Sequence, residues 1–439
     1  MSIQEDQIPS TEPQCPPVHY DFVRQCYWTK NKRDEWITIN ETSLRRHLRQ
    51  HGFSPKRVEG ESLSPLDACF NKIQNEFDVA YAGPLAGYPK GPVTICGRRI
   101  LVTDSAKLIT PEERPHSIIE KILWNMLGEQ QLPYFQGWLK TACESQACGI
   151  RRPGQALVLA GKGDSYKSLL QNLITEILGG RSAKPYRYMS GATEFNGDLF
   201  GAEHLMIEDD IASCDIRARR NFGTRIKEFT VNEVQSCHPK NRPALSLTPF
   251  WRMTISVNDE PENLLILPPL DESLKDKLIL LKASKQESVM PTITLEERKR
   301  FWQALLAELP GFIWKLMHWE IPADIKGGRF GVLHFHHPDL LQALEDAAPE
   351  TKVLALIDTA FKHGVWNKEK ETKFEGTAEE LESQLMLQYP ADARRLFTWS
   401  NAVGTYLGRL ADKYPERVQR HRTASERLWI VKPAGSVTS

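Results

Sequence analysis

The sequence predicts an α/β protein with a mostly parallel central sheet that helices cover on both faces. Between residues 155 and 283, apolar runs alternate with stretches of helical periodicity. The four predicted strands are QALVLAG, HLMIEDD, FWRMTISVND and DKLILL, and the clearest helix is KSLLQNLITEILGG. Because each intervening helix carries the chain back across the sheet, strands that alternate with helices pair in parallel. A glycine-containing loop joins the first strand to its helix, and acidic or amide residues end the next two strands.

The composition of the 439-residue chain indicates a folded protein of roughly two to four domains. Hydrophobic residues make up 41%, yet no run approaches the roughly 18 apolar residues that cross a bilayer. The polar, proline-rich N-terminus lacks the basic and apolar regions of a secretory signal. The eight cysteines lack the spacing of a zinc site, and buried thiols are the default in a reducing compartment. We therefore expect a cytoplasmic protein that has no membrane partner.

Composition and periodicity divide the chain into six predicted segments. They are a disordered tail at 1–20, an N-terminal α+β domain at 21–110, a helical oligomerisation segment at 111–150, the α/β core at 151–285, a helical linker region at 286–375 and a C-terminal domain at 376–439. In the N-terminal domain we predict strands at 27–28 and 36–39, a basic helix at 43–51 and a compact β element at 78–103. In the linker region we predict helices at 295–320 and 338–362.

The loop GKGDSYKS, at residues 161–168, stands between the first strand of the core and its helix, as a phosphate-binding loop (P-loop) requires. Backbone N–H groups of such a loop and of the following helix point at the phosphates. Lys167 is predicted to reach the β- and γ-phosphates of ATP, and Ser168 to coordinate Mg²⁺. Tyr166 departs from the pattern, which has glycine there, and the loop alone also fits a glycine-rich turn that caps a helix. The predicted nucleotide-binding residues are Gly161, Gly163, Asp164, Ser165, Tyr166, Lys167 and Ser168.

Two polar strand ends follow this loop at the same predicted edge of the sheet. HLMIEDD places Asp209 and Asp210 after an apolar run, and RMTISV is followed by Asn258. One carboxylate can hold the Mg²⁺ shell, its neighbour can orient the attacking water, and an amide can polarise that water. Ligands of α/β sheets bind at the carboxyl ends of the strands. We therefore predict Lys167, Asp209, Asp210 and Asn258 as catalytic residues, with Ser168 and Asp209 as Mg²⁺ ligands, although acids also end ordinary strands.

Residues 110–285 resemble the superfamily 3 helicases, the AAA+ motors of small viruses, phages and integrated mobile elements, in their phage-type primase–helicase branch. GKGDSYKS resembles the Walker A motif of that family, and HLMIEDD resembles its Walker B motif. The stretch IKEFTVNEVQSCHPKNRPALSLTPFWRMTISVND resembles the B′ motif that runs into the sensor strand. LPPLDESLKDKLILL resembles the segment that closes the fold. The resemblance implies an AAA+ P-loop NTPase core that assembles into a ring, as a hexamer.

The resemblance also implies which residues contact DNA and the neighbouring subunit. His238 and Lys240 match the hairpin that lines the central channel and holds single-stranded DNA. Their loop, CHPKNRPAL, is short and basic, and extended segments are predicted on both sides of it, at 230–235 and 244–247. Lys277 lies near the position of the arginine that reaches into the ATP site of the neighbouring subunit. The alternatives for this trans-acting residue are Arg217, Arg219, Arg220 and Arg225.

The C-terminal residues predict a winged-helix domain. A helix, a second helix and a basic hairpin follow one another in GTAEELESQLMLQYP, SNAVGTYLGRLADKYP and VQRHRTASERLWIVKP. In that architecture the second helix enters the major groove and the hairpin touches the backbone. Residues 392–432 hold nine lysines and arginines against four acids, which agrees, but winged helices also serve as protein-interaction modules. The predicted phosphate contacts are Arg409, Lys413, Arg420, Arg422 and Arg427.

These observations favour an ATP-dependent, ring-forming DNA helicase that serves replication of a phage or mobile genetic element. Its expected cofactors are ATP and Mg²⁺, and its expected partners are single-stranded and forked DNA and further copies of itself. We expect any priming to come from a separate primase, because the N-terminal part is too short and too poor in spaced acidic pairs. Two alternatives stay open: a DNA-binding initiator or scaffold that has lost its ATPase, which Tyr166 favours, and an AAA+ remodeller or loader that acts on proteins.

Overall fold

The computed structural model describes residues 14–208, 216–268, 270–368, 371–422 and 426–434. At its centre lies a parallel sheet of five strands, preceded by an α+β part and followed by helices and a small antiparallel sheet. The predicted mixed α/β fold with a parallel sheet is confirmed. Among the described residues, no helix is both long enough and apolar enough to cross a membrane.

The N-terminal part consists of two small sheets and two helices. Its elements are β1 (His19–Asp21), β2 (Cys26–Lys30), β3 (Trp36–Ile39), α1 (Glu41–Gln50), α2 (Pro65–Glu76), β4 (Asp78–Val79), β5 (Tyr81–Gly83), β6 (Gly91–Ile95) and β7 (Arg98–Val102). One sheet has the order β3-β2-β1-β4 and the other the order β5-β7-β6. The side chains of Asn40 and Ser64 accept backbone N–H groups at the starts of α1 and α2, as N-cap residues do. The predicted strands and basic helix are confirmed, whereas the sequence did not predict α2.

A long helix, α3 (Ser117–Cys148), leads into the central sheet and is broken in its middle. Gly128 there has a φ of 66° and a ψ of 178°, which only glycine adopts without strain. The break lies between SIIEKILWNML and YFQGWLKTAC, the two apolar stretches of the predicted helical segment. Apolar residues on both sides of the break are buried in the same core cluster. The two halves therefore pack as one helical layer that changes direction at Gly128.

The central sheet is built from strands that alternate with helices, as predicted. Its elements, with the hairpin between β10 and β13, are β8 (Ala156–Ala160), α4 (Lys167–Ile177), β9 (Ser182–Ala183), α5 (Tyr186–Met189), β10 (His204–Ile207), α6 (Ile216–Val231), β11 (Gln235–Cys237), β12 (Leu245–Leu247), β13 (Arg252–Val257), α7 (Pro261–Leu264) and β14 (Leu278–Lys282). The five parallel strands lie in the order β14-β8-β13-β10-β9. The four predicted strands are confirmed, and the short edge strand β9 is an addition to them.

Strand β8 is buried along its whole length because both faces of the sheet are covered. Ala156, Val158 and Ala160 pack into one core cluster, which includes residues of α6. Leu157 and Leu159 point to the opposite face and pack with residues of α3 and α4. Burial of one leucine stabilises a fold by roughly 1.5–3 kcal/mol. The buried residues of β8 therefore hold this strand in place, and with it the start of the loop that follows.

The chain after the central sheet forms helices and short strands. Its first elements are α8 (Leu295–His318), β15 (Lys326–Gly327), β16 (Gly331–Val332), α9 (Pro338–Ala347) and α10 (Pro349–Lys362). Helix α8 begins with a capping box between Thr294 and Glu297 and packs against α3. The helical structure predicted at 338–362 is confirmed, and it is divided into two helices because Ala348 is extended and separates α9 from α10. Proline disfavours helical backbone in the residue before it, so Pro349 explains the break.

The C-terminal part has its own core and a three-stranded antiparallel sheet. Its elements are β17 (Asn367–Lys368), β18 (Glu371–Thr372), β19 (Phe374–Gly376), α11 (Ala378–Gln388), α12 (Pro390–Leu396), α13 (Ala402–Lys413), β20 (Val418–Arg422) and β21 (Arg427–Val431). The sheet has the order β19-β21-β20. Trp429 and Tyr406 fill the core together with Val353 and Ile357 of α10, so this core also contains residues before 376. The two predicted helices and the hairpin are present, with α12 between the helices, and their assignment as a winged helix stays a prediction.

Candidate nucleotide-binding site

The loop at residues 161–166 leaves the carboxyl end of β8 and enters the first turn of α4. A Cβ atom at Gly161 would lie 2.2 Å from the carbonyl oxygen of Ala283, so only glycine fits there. The Gly161 N–H donates to the Val257 carbonyl oxygen at 3.2 Å. The Ser165 hydroxyl donates to the Lys162 carbonyl oxygen at 2.7 Å. These contacts fasten the loop both to the neighbouring strand and to itself.

Tyr166 occupies the position at which the P-loop pattern has its second glycine. Its φ of 57° and ψ of 18° lie in the left-handed region, which costs a non-glycine residue roughly 1–2 kcal/mol. The Tyr166 ring packs beside Phe301 of α8, with 6.3 Å between the ring centroids. Contact with α8 offsets part of the backbone cost, and Tyr166 takes a left-handed backbone that glycine adopts readily.

Lys167 joins the loop to strand β13. Its buried ammonium donates to the carbonyl oxygens of Gly161 and Lys162 and to the Ser165 hydroxyl. It also donates to Asn258 Oδ1 at 3.3 Å, across 91 residues of sequence. Strands β8 and β13 are parallel neighbours. Their carboxyl ends therefore place these two predicted catalytic residues side by side.

The first turn of α4 offers hydrogen-bond donors that suit a phosphate group. No described side chain caps this helix, and the first N–H groups of a helix have no partner within it. The Ser168 side chain is exposed in this turn, and a Cβ atom at Gly163 would meet no described atom within 4 Å. Open N–H groups, a buried lysine and an exposed hydroxyl are what a nucleoside triphosphate with Mg²⁺ requires. The described residues of the loop and helix therefore fit a triphosphate, and among them Ser168 is the predicted Mg²⁺ ligand.

Asp209 and Asp210, the predicted Walker B acids, lie outside the described residues. Glu208, directly before them, forms an ion pair with Lys184 at 2.6 Å. The sequence did not single out Lys184, which follows the short strand β9. Because β10 lies next to β13 in the sheet, the carboxyl end of β10 opens at the same edge as Asn258. The acidic segment thus begins one strand away from that amide.

Glu260 also belongs to this edge, and the sequence reasoning missed it. Its own backbone N–H and the side chain of Asn263 lower the pKa of Glu260, and the charges of Lys167 and Lys162 lower it further. The carboxylate is therefore ionised at neutral pH, and the charges of the two loop lysines favour that ionised form. Its place two residues after Asn258, at the end of a buried strand, is the signal that could have identified it.

The basic loop after α6 forms a β-hairpin, although its first strand is shorter than predicted. Residues 230 and 231 end α6, and β11 begins only at Gln235. The extended segment predicted at 230–235 is therefore wrong for most of its length. The helix continues this far because Phe222, Ile226 and Phe229 are buried at helical spacing.

His238 and Lys240 lie at the tip of this hairpin. The His238 N–H donates to Asn196 Oδ1 at 2.7 Å, and Asn196 Nδ2 donates to the Ser236 carbonyl oxygen at 2.9 Å. The His238 ring lies 5.3 Å from the ring of Phe195, and Lys240 is exposed. The buried Asn196 therefore fastens the base of the hairpin, while an imidazole, a phenyl ring and an ammonium lie around its tip.

The fold has counterparts among solved structures. An apo structure of the NrS-1 C terminal region matches 94% of this chain and 95% of its own chain, with 14% sequence identity and a TM-score of 0.56. Its A form apo structure matches 95% and 96% of the two chains, with 13% identity and a TM-score of 0.54. The chain shares the fold of that region. No protein-family model matches the sequence, and a search of curated proteins finds no match.

The candidates for the trans-acting residue differ in what they contact. Lys277 and Arg225 are paired with carboxylates of the chain itself, and Arg219 donates to a backbone carbonyl oxygen. Arg220 is exposed on α6. The side chain of Arg217 lies outside the described residues. Of the four candidates whose side chains the structure describes, only Arg220 is exposed.

Three of the five predicted phosphate contacts in the C-terminal part are paired with carboxylates of the chain. The ion pairs are Arg409–Glu350 at 3.1 Å, Lys413–Glu345 at 3.1 Å and Arg420–Asp412 at 2.6 Å. Burial lowers the pKa of Lys413, but its hydrogen bonds with Glu345 and Tyr414 raise it by more. Arg422 and Arg427 face each other across the hairpin of β20 and β21 and are exposed. The basic side chains at the end of this hairpin are therefore more accessible than the three cations that are paired with carboxylates.

Proposed function

We propose that this protein is an ATP-dependent DNA helicase that assembles as a homo-hexameric ring and serves replication of a phage or mobile genetic element. The observation that carries the proposal is the meeting of Lys167 and Asn258 at the carboxyl edge of a parallel sheet. A buried ammonium before an open helix N-terminus is suited to phosphate binding. The likeness to the NrS-1 C terminal region supports the fold on which the site is built.

In the proposed reaction, side chains of the loop and of two strand ends bind ATP and orient it for attack by water. Lys167 holds the β- and γ-phosphates, and the N–H groups of α4 balance part of their charge. Ser168 and Asp209 would hold Mg²⁺, which supplies further positive charge to the phosphates. Asp210 orients the attacking water, and Asn258 polarises it.

The proposed contact with single-stranded DNA lies at the hairpin of β11 and β12. Lys240 supplies charge to the phosphates, and the rings of His238 and Phe195 supply faces for bases. In a ring, six such hairpins converge on one channel, and ATP bound between subunits would move them. Arg220 would reach the ATP site of the neighbouring subunit.

The proposed contact with duplex DNA lies at the hairpin of β20 and β21. Arg422 and Arg427 are exposed there and supply two phosphate contacts. Arg409, Lys413 and Arg420 must first break their ion pairs with carboxylates, so we propose that they contribute less to duplex binding. A separate primase would supply primers to the strand that the ring separates.

A second candidate function rests on Tyr166. The tyrosine holds the loop in a left-handed conformation at a cost that glycine would avoid, and its ring is fixed on α8. A chain whose loop can no longer adjust to ATP would keep its DNA contacts and lose turnover. Such a protein would act as a replication initiator or scaffold.

An ATPase assay with and without single-stranded DNA separates these functions. The helicase proposal expects hydrolysis that needs Mg²⁺ and increases when single-stranded DNA is added. Binding of DNA with no hydrolysis would support the scaffold instead. Hydrolysis that ignores DNA would contradict both proposals and favour a protein remodeller.

A further inference from the structure

Four buried polar residues form a chain of hydrogen bonds below the candidate site, which closes through the backbone carbonyl of Gln171 and which we call the polar ring. Gln171 and Thr175 come from α4, His204 from β10 and Thr254 from β13. None of the four is more than 9% exposed. Burial of polar groups is tolerated where hydrogen bonds satisfy them. The direction of each bond therefore decides whether the polar ring is consistent.

Carbonyl oxygens, which can only accept, and the neutral form of His204 together fix the directions of the bonds in the polar ring. The Thr175 hydroxyl donates to the backbone carbonyl oxygen of Gln171 at 3.1 Å. Towards His204 Nδ1, at 2.7 Å, the same hydroxyl must accept, so Nδ1 carries the hydrogen. Burial lowers the pKa of His204 to about 3, so the imidazole is neutral at pH 7. Its Nε2 therefore accepts from the Thr254 hydroxyl, at 2.7 Å.

Gln171 closes the polar ring and also reaches the acidic end of β10. Its Nε2 donates to Thr254 Oγ1 at 2.9 Å and to the Ile207 carbonyl oxygen at 3.0 Å. Ile207 is the last residue of β10 and directly precedes Glu208. Gln171 itself lies about one helical turn after Lys167 on α4. One amide group thus ties the helix of the phosphate loop to the strand that leads into the predicted Walker B acids.

Stability alone does not explain a glutamine at this position. Gln171 Oε1 is buried and forms no hydrogen bond with any described residue, which is unfavourable. An apolar side chain of similar volume would fill the space without that penalty. The gain is geometric, because directional bonds hold α4, β10 and β13 at fixed separations. Those are the three elements that carry Lys167, the acidic segment and Asn258.

We propose that Gln171 is a positioning residue for ATP hydrolysis, which it serves by fixing the carboxyl end of β10 relative to Lys167 and Ser168. The inference rests on the proposed function. It assigns Thr254 and His204 the role of holding the Gln171 amide in its orientation. Loss of the polar ring should displace the acidic segment and slow hydrolysis, while the phosphate loop still binds nucleotide.

Three variants test this role by separating hydrogen bonding from packing. Gln171→Met removes both N–H donors at similar length, and Thr254→Val removes the hydroxyl at similar shape. Thr254→Ser keeps the hydroxyl and is the matched control. We expect the first two to lower kcat for ATP by about 10- to 100-fold, the usual effect of losing an outer-shell partner. KM should stay within about threefold, because the residues that contact phosphate are unchanged.

The kcat of Thr254→Ser decides whether the hydroxyl of Thr254 or only its packing matters for hydrolysis. Near wild-type kcat for Thr254→Ser, with the loss for Thr254→Val, supports the proposal. Equal kcat losses in the serine and valine variants, or wild-type kcat in Gln171→Met, would overturn it. Melting temperatures are recorded for all three, so that a variant that fails to fold is recognised, and the remaining variants then decide.

Nitrogen-15 NMR of the histidine side chains tests the polar ring without reference to catalysis. The wild-type full chain should show His204 as the neutral Nδ1–H tautomer from pH 5 to 8. The Nε2–H tautomer or a protonated imidazole at pH 7 would overturn the arrangement of bonds and the proposal with it. If wild type hydrolyses no ATP, the proposed function fails and the positioning role fails with it, whereas the NMR result still shows whether the polar ring exists.

Discussion

The polar ring below the nucleotide site and the ion pairs of the C-terminal part hold their polar groups in opposite ways. In the polar ring, Gln171 and His204 are fully buried, and each hydrogen bond has one allowed direction. In the C-terminal part, Arg420 and Asp412 pair with side chains that are 48% and 71% exposed. Water and salt reach this ion pair, and they do not reach the buried groups of the polar ring.

The difference indicates which interactions can be exchanged during function. An exposed ion pair contributes roughly 0–1 kcal/mol, so an arginine can leave its carboxylate for a DNA phosphate at little cost. A buried group left without its hydrogen bond costs roughly 1–3 kcal/mol. The surface pairs therefore suit contacts that form and break with DNA, whereas the polar ring suits a geometry that must be the same in every catalytic cycle.

The largest effect is expected at the nucleotide site, for Lys167→Ala. Removal of the ammonium leaves the charge of the phosphates unbalanced, so kcat should fall by at least about 100- to 1000-fold, as when a preorganised donor is lost. Because the buried ammonium also donates to the loop carbonyl oxygens and to Asn258, some loss of melting temperature is expected, and the predicted result is a variant that still folds but does not turn over. Steady-state hydrolysis measures the effect, and Lys121→Ala on the exposed side of α3 is the control. Turnover at the wild-type rate in Lys167→Ala would contradict the assignment of this nucleotide site.

The second effect is a decrease in the free energy of unfolding in acid, which arises from the buried side chain of His204. Burial lowers the pKa of His204 to about 3, from an ordinary value of 6.5. Below pH 6.5 the unfolded chain binds a proton there and the folded chain does not, so acid favours unfolding. The contribution of His204 should fall by about 1.4 kcal/mol per pH unit between pH 6 and 4. Denaturant unfolding of wild type and His204→Gln measures it, and equal pH slopes would contradict a neutral buried imidazole.

The third effect concerns the hairpin tip. Lys240→Ala should reduce the stimulation of ATP hydrolysis by single-stranded DNA, by about tenfold if one phosphate contact is worth roughly 1.4 kcal/mol. Basal hydrolysis should stay the same, since Lys240 does not touch the nucleotide site. Lys240→Arg keeps the charge and should keep the stimulation. Normal stimulation in the alanine variant would mean that the hairpin is purely structural.

The fourth effect concerns the affinity for duplex DNA and its dependence on salt concentration. Removal of Arg422 and Arg427 together should weaken duplex binding equally for all sequences. The slope of log affinity against log salt should fall by about one unit for each lost contact. Titrations at several salt concentrations measure the slope, with Arg409→Ala as the paired-arginine control. An unchanged slope in the double variant, or a larger loss in the control, would place the duplex surface elsewhere.

The smallest effect is expected for Asp412→Asn, which releases Arg420 from its surface partner. The free energy of unfolding should change by less than about 1 kcal/mol, because the pair is exposed. The freed guanidinium should make duplex binding slightly tighter. Thermal unfolding and the same titrations test both expectations. A loss of several kcal/mol would show that these surface pairs resemble the polar ring after all.

Much of the central sheet could be predicted from the sequence because its strands are apolar runs with clear ends. The nearness of Lys167 and Asn258 could also be predicted, since both follow parallel strands at their carboxyl ends. Local chemistry was enough for these features, because a buried strand needs apolar residues and its exposed end tolerates polar ones. The same reasoning could not give Tyr166 its left-handed backbone, which depends on the position of α8.

What could not be predicted depends on contacts between distant segments. Arg409 looks like a free cation in the sequence, but its partner Glu350 lies 59 residues away, on α10. In the sequence Gln171 is one of several polar residues of α4, and its role emerges only when α4, β10 and β13 are assembled. The extended segment predicted at 230–235 began too early, because the sequence did not show that α6 continues to Val231.

Strand separation on a forked DNA substrate is the most direct test of the central claim. Wild-type protein with ATP and Mg²⁺ should separate the strands, and it should not do so without ATP. Lys167→Ala should bind the same substrate and leave it intact. Binding by wild type without any separation, or separation of equal extent by Lys167→Ala, would contradict an ATP-driven helicase.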